Sequence, residues 1–168
     1  MPQRFFLDTS ALIVRYLRRA VGHAWVQRIC DDASHNTITI AEITEAELAA
    51  TMNQLVRGGL MRNTSCKRVL SVFLRQVDGN EYRILPITSS VIRRAASLCD
   101  VHSLKGYDAI QLACALTYRD DVRIADAAAA SIAGAPLLGD PIFLAEDKRL
   151  GDAARAEGFT VDTPAAHP

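Results

Sequence analysis

Short apolar runs closed by turn or capping residues alternate along this chain with longer stretches of helical period. The runs over Arg4–Asp8, Thr37–Ile40, Tyr82–Ile87, Pro141–Ala145 and Phe159–Asp162 predict strands. Apolar residues recurring at three and four predict helices over Ala11–Arg19, Ala24–Asp32, Glu45–Leu55, Cys66–Val77, Ser90–Cys99, Tyr107–Tyr118 and Lys148–Glu157. Strands alternating with helices need crossover connections. The pattern therefore predicts an α/β fold of three layers, α/β/α, with a central parallel sheet of about five strands. No linker or internal repeat interrupts it, so the expected organisation is one domain over residues 1–163 and a frayed tail over 164–168.

An open parallel sheet presents its working surface at the carboxyl ends of its strands. No G-x-x-x-x-G-K-[ST], G-x-G-x-x-G or G-x-S-x-G follows a strand here, which argues against a nucleoside triphosphatase, a dinucleotide enzyme and a serine hydrolase. Carboxylates stand there instead. Asp8 closes the first strand in FFLDTSAL, and Asp147 leaves the fourth in FLAEDKRL. Glu47 lies at a helix start in TEAEL, and Asp108 in the first turn of GYDAIQLA. Three of them also have an ordinary structural role: Asp8 as an N-cap, Asp108 as a dipole partner, and Glu47 in a capping box with Thr44, the reading that segment favours when taken alone. Four such acids on one sheet repel one another unless cations join them, and oxygen-only ligands suit magnesium or manganese. The chemistry implied is metal-assisted hydrolysis of a phosphodiester.

Composition narrows the field. The chain has 168 residues, 49% of them apolar and 23% charged, which excludes disorder, collagen and coiled coil. Its alanine-rich stretch from Ala127 to Gly139 is too short and too weakly apolar for a membrane span, and no signal-type apolar core precedes Asp8, so a cytoplasmic location is expected. Cys30, Cys66, Cys99 and Cys114 are widely spaced and read as buried or half-buried thiols; the four histidines lack zinc spacing. The formal net charge is zero but unevenly spread. Between Leu48 and Val77 there are five bases and no acid, whereas from Asp120 to Asp162 nine acids face four bases. The basic region suits a polyanion, or is simply a solvated helix face.

The segments FLDTSALIVRYL with its downstream HAWV, ITEAELAA, GYDAIQLACAL and IFLAEDKRLGDAARAEGFTV together resemble the PIN-domain nucleases, and among them the VapC-type toxins of type II toxin-antitoxin systems. The resemblance covers nearly the whole chain in family order. It implies a metal-dependent endoribonuclease with a Mg2+ or Mn2+ site on Asp8, Glu47, Asp108 and Asp147, supported by Ser10, Thr9 and Glu146. This gives Glu47 a site role beyond that of a cap. It further implies strand order 3-2-1-4-5, a homodimer, an RNA substrate and a small antitoxin whose C-terminal segment fills a groove near the acids. The helices from Glu45 to Val77 would form the arm that grips the antitoxin, with Arg57, Arg62, Lys67 and Arg68 contacting antitoxin or RNA. Asp126 is the alternative fourth acid. The competing reading is a PIN-fold module that binds RNA or a partner without cutting it; Ala145, where the family often carries Ser or Thr, favours that reading.

Overall fold

A computed structural model describes residues 3–133 and 139–168 of the chain. In order these form β1 (Gln3–Leu7), α1 (Thr9–Val14), α2 (His23–Asp31), β2 (Asn36–Ala41), α3 (Thr44–Arg57), α4 (Asn63–Asp78), β3 (Arg83–Leu85), α5 (Ser89–Val101), α6 (Gly106–Ala133), β4 (Ile142–Leu144), α7 (Lys148–Ala156), β5 (Val161–Asp162) and a 3-10 turn at Pro164–Ala166. The strands make one parallel sheet in the order β3-β2-β1-β4-β5. Central β1 is paired on both sides, so the chain leaving it enters the crevice between α1 and the β4 exit.

Alternation along the strands builds two cores. Phe5 and Leu7 pack with α1, α2, α3 and α4, while Phe6 packs on the opposite face with α5, α6 and α7. β4 divides in the same way, Phe143 to the second face and Leu144 to the first. Phe6 and Phe143 stack across the ladder with ring centroids 5.5 Å apart. Burying each ring contributes about 2 to 3 kcal/mol, which anchors β1, the strand that leads into Asp8.

Three elements differ most from the sequence expectation. α1 ends at Val14 instead of continuing to Arg19, tightening into bonds from Arg15 N to Leu12 O and from Tyr16 N to Ile13 O. The Arg15 side chain is only 7% exposed; it donates to Tyr82 Oη, Asp31 and Glu81, and this long-range network outweighs the local helical period. α6 continues past Tyr118 to Ala133, its second half held by Arg4–Asp126 and Arg123–Asp140 pairs. β5 starts at Val161 because Gly158, at φ +86°, turns the chain after α7 and Phe159 N returns to Ala154 O.

The tail read as frayed is docked. Pro164 is buried over Gly22, where any Cβ would meet Pro164 O at 2.2 Å, and His167 stacks on Trp25 at 3.8 Å. Of the alanine-rich stretch, residues 134–138 lie outside the described residues. No helix among the described residues is long and apolar enough to cross a membrane. All four cysteines are free; Cys30, Cys66 and Cys114 are buried, whereas Cys99 is exposed.

Candidate active site

Asp8 is the N-cap of α1 and its carboxyl also feels the charges of Glu47 and Asp108, so the capping role does not exclude a site role. One carboxylate oxygen accepts from Ser10 N at 2.9 Å and Ser10 Oγ at 2.5 Å, while the residue is 5% exposed. Burial pushes its carboxyl up to about 6, assisted by the charges of Glu47 and Asp108 and opposed by the Ser10 bonds. Ser10 Oγ in turn accepts from Glu146 N at 2.9 Å, joining the β1 and β4 exits.

The capping box at the start of α3 does not form. The N-cap position is Ile43, without a side-chain bond, and Thr44 is turned inward and fully buried. Glu47 Oε2 accepts from Thr9 Oγ1 at 2.5 Å and from Gln111 Nε2 at 2.7 Å. The Gln111 amide also lies 2.8 Å from Thr9 Oγ1 and 3.2 Å from Thr44 Oγ1. Burial explains the preference: hydroxyls excluded from water take partners across the core rather than an exposed backbone amide.

Asp108 sits half-buried in the first turn of α6. Its carboxyl is raised by burial and by the charges of Asp147 and Glu47, with Lys105 opposing. Asp147 is exposed and caps α7, accepting from Leu150 N at 2.9 Å. Asp108 and Asp147 line an open cleft of ≈ 520 Å³ with Lys105, Lys148, Arg149 and Asp152. Asp152 itself pairs with Lys148 and Arg155 along α7.

Two acids considered from the sequence are committed elsewhere. Glu146 turns to the tail, its Oε1 accepting from Thr163 Oγ1 at 2.9 Å and Ala165 N at 2.8 Å. Asp126 makes a two-pronged pair with Arg4, both bonds 2.7 Å, near the opposite end of β1. Glu42 likewise spends an oxygen on Ile87 N.

The remaining donor set of Asp8, Glu47, Asp108 and Asp147 is all oxygen. Burial first, and neighbouring carboxylates second, raise the carboxyls of Asp8 and Asp108, and a hard divalent cation would favour their charged forms. Glu47 Oε1 has no hydrogen bond among the described residues. That chemistry fits a Mg2+ or Mn2+ ion. No group of three His, Cys, Asp or Glu side chains among the described residues is drawn together closely enough to hold one, and Asp8 and Asp147 each spend an oxygen on a local cap.

Arg57, Arg62, Lys67 and Arg68 are exposed along the end of α3, the following turn and α4. Arg62 shares a cleft with Arg18 and Arg19, and Arg68 shares one with Arg15 and Arg18. The acid-lined cleft takes its bases from elsewhere, namely Lys105, Lys148 and Arg149. Sequence reasoning missed Lys105 and, above all, Gln111. The signal for Gln111 was present: it is the one polar residue between Ala109 and Leu116, three positions after Asp108.

Comparison with curated proteins gives no sequence match. Similar solved structures include VapBC2 from Rickettsia felis bound to a DNA fragment from its promoter, at 11% identity and a TM-score of 0.59, covering 96% of this chain and 98% of that chain. FitAcB from Neisseria gonorrhoeae aligns at 20% identity and a TM-score of 0.56, covering 95% and 97%. A toxin-antitoxin complex from Klebsiella pneumoniae aligns at 19% identity and 0.51, again covering 95% and 97%. At these identities the likeness is one of fold. The PIN domain family model, however, matches residues 5–156, from the strand that delivers Asp8 to the last residue of α7, and on that match the chain belongs to the PIN domain family.

Proposed function

We propose that this chain is a Mg2+- or Mn2+-dependent ribonuclease that hydrolyses RNA phosphodiester bonds as the toxin of a toxin-antitoxin pair. The observation that carries the reading is that Asp8 feels the charges of Glu47 and Asp108, and Asp108 those of Asp147 and Glu47, at the carboxyl edge of a PIN-family sheet. These four residues would hold the cation, which when bound supplies an acidified water and neutralises charge on the phosphate. Ser10 holds Asp8, and Thr9 holds Glu47. Lys105, Lys148 and Arg149 draw a phosphate backbone into the cleft beside Asp108 and Asp147. Glu146 serves the site only through its backbone N–H, which donates to Ser10.

The partner reading is supported by a second cleft. Leu60 is 81% exposed at the turn between α3 and α4 and lines, with Leu17 and Met61, a space of ≈ 740 Å³ rimmed by Arg18, Arg19 and Arg62. Apolar side chains set among arginines suit an amphipathic, acidic antitoxin segment. The similar toxin-antitoxin complex from Klebsiella pneumoniae supports that pairing, and a cytoplasmic homodimer completes the reading.

Incubating the purified chain with single-stranded RNA in Mg2+, Mn2+ or chelator tests it, with metal-dependent cleavage expected. One observation favours a module that binds RNA without cutting: no three candidate ligands are assembled among the described residues. RNA binding without cleavage in either metal would establish that second reading.

A further inference from the structure

Gln111 is wholly buried, and its amide nitrogen meets Glu47 Oε2 at 2.7 Å, Thr9 Oγ1 at 2.8 Å and Thr44 Oγ1 at 3.2 Å. Its own Oε1 is buried with no partner among the described residues. A buried acceptor left unpaired is unfavourable, and an apolar side chain of the same length would avoid it. The unpaired oxygen offsets part of what the amide contacts contribute, so stability alone is an incomplete account of the residue. Its location adds to it: Gln111 lies one helical turn beyond Asp108, so a single side chain joins the helix that presents Asp108, the residue following Asp8, and the acid of α3.

We infer that Gln111 is a positioning residue for Glu47, its amide pinning Oε2 so that Oε1 is the oxygen offered to a divalent cation. Both donors to the glutamate, Thr9 and Gln111, fall on Oε2, while Oε1 carries no bond among the described residues. A carboxylate restrained through one oxygen loses less rotamer freedom on binding through the other, and supports of this kind affect both affinity and activity of metal sites. The inference rests on the proposed nuclease reading and deepens it.

The test measures Mn2+ binding by titration calorimetry, single-stranded RNA cleavage and metal-free melting on the full chain, as wild type, Gln111→Met and Gln111→Asn. Met keeps the length and removes the donors; Asn keeps the amide and shortens its reach. Both variants are expected to weaken Mn2+ affinity and lower kcat about tenfold, with KM for RNA unchanged. Metal-free melting of Gln111→Met is expected to equal or exceed that of wild type. Wild-type Mn2+ affinity and kcat in the folded variants would overturn the inference and leave the nuclease reading intact. A loss of melting temperature in both variants with unchanged Mn2+ affinity would also overturn it, making the residue a packing element. If wild type neither binds Mn2+ nor cuts RNA, the nuclease reading falls and takes this inference with it. Should Gln111→Met not fold, Gln111→Asn decides by the same measurements.

Discussion

The Thr9 hydroxyl donates to Glu47 Oε2 at 2.5 Å, so the residue after the first strand's acid holds the acid of a helix 38 positions away. The N-terminus of α3 makes no use of Glu47 as a cap. Glu47→Gln should therefore leave the melting temperature within a few degrees of wild type while reducing RNA cleavage at least a hundredfold. Parallel melting and cleavage measurements check this; a large loss of stability with activity retained would restore a purely structural role.

Asp8 makes stability depend on pH with a definite sign. Its carboxyl is raised from 3.8 to about 6 in the folded chain, so the native state binds this proton more tightly than the unfolded one. The contribution is fully present below about pH 4 and is lost as pH rises through 6, worth about 3 kcal/mol by linkage. Asp8→Asn keeps the cap and removes the charge. It should melt higher than metal-free wild type at pH 7, with the difference closing toward pH 4, and show no cleavage.

Cleavage should require a divalent cation and leave 5′-phosphate ends, because water attacks the phosphate in place of the ribose 2′-hydroxyl. End-labelling of the products distinguishes the two. Cyclic 2′,3′-phosphate ends, or full activity in excess chelator, would overturn the mechanism.

Two basic sets are exposed, Lys105 and Arg149 at the acid-lined cleft and Arg57, Arg62, Lys67 and Arg68 along α3 and α4. In an Asp8→Asn background, Lys105→Ala with Arg149→Ala should reduce the slope of log affinity against log salt by roughly one unit per lost phosphate contact. Alanine at Arg57, Arg62, Lys67 and Arg68 should do the same only if RNA also crosses α3 and α4. An unchanged slope there, with weakened antitoxin binding, assigns that run to the protein partner.

Asp126 serves the fold. Its pair with Arg4 is two-pronged, both side chains 14% exposed, and Asp126→Ala leaves the guanidinium short of its carboxylate partner. The expected loss is about 2 kcal/mol of stability with cleavage retained. Denaturant melts and the RNA assay decide it, and loss of cleavage without loss of stability would return Asp126 to the site.

The alternation of apolar runs and helical stretches determined the layers, because each strand of a sheet covered on both faces must be apolar along its length. FFLD, with rings to both sides and an acid at its exit, shows this most directly. The positions of Asp8, Asp108 and Asp147 were legible for the same reason: strand ends and first turns are local features. What Glu47 does was not. The sequence offers Thr44 to Glu47 as a capping box, and only the approach of Thr9 and Gln111 from two other elements turns those side chains inward. Likewise, Glu146 and Asp147 are indistinguishable by pattern until the docked tail claims one and the start of α7 the other. Arg15 ends α1 early through partners 16, 66 and 67 residues away. Local periodicity specifies which face a residue takes, but a buried polar group must find its partner wherever the fold brings one, and that partner is set by tertiary contact.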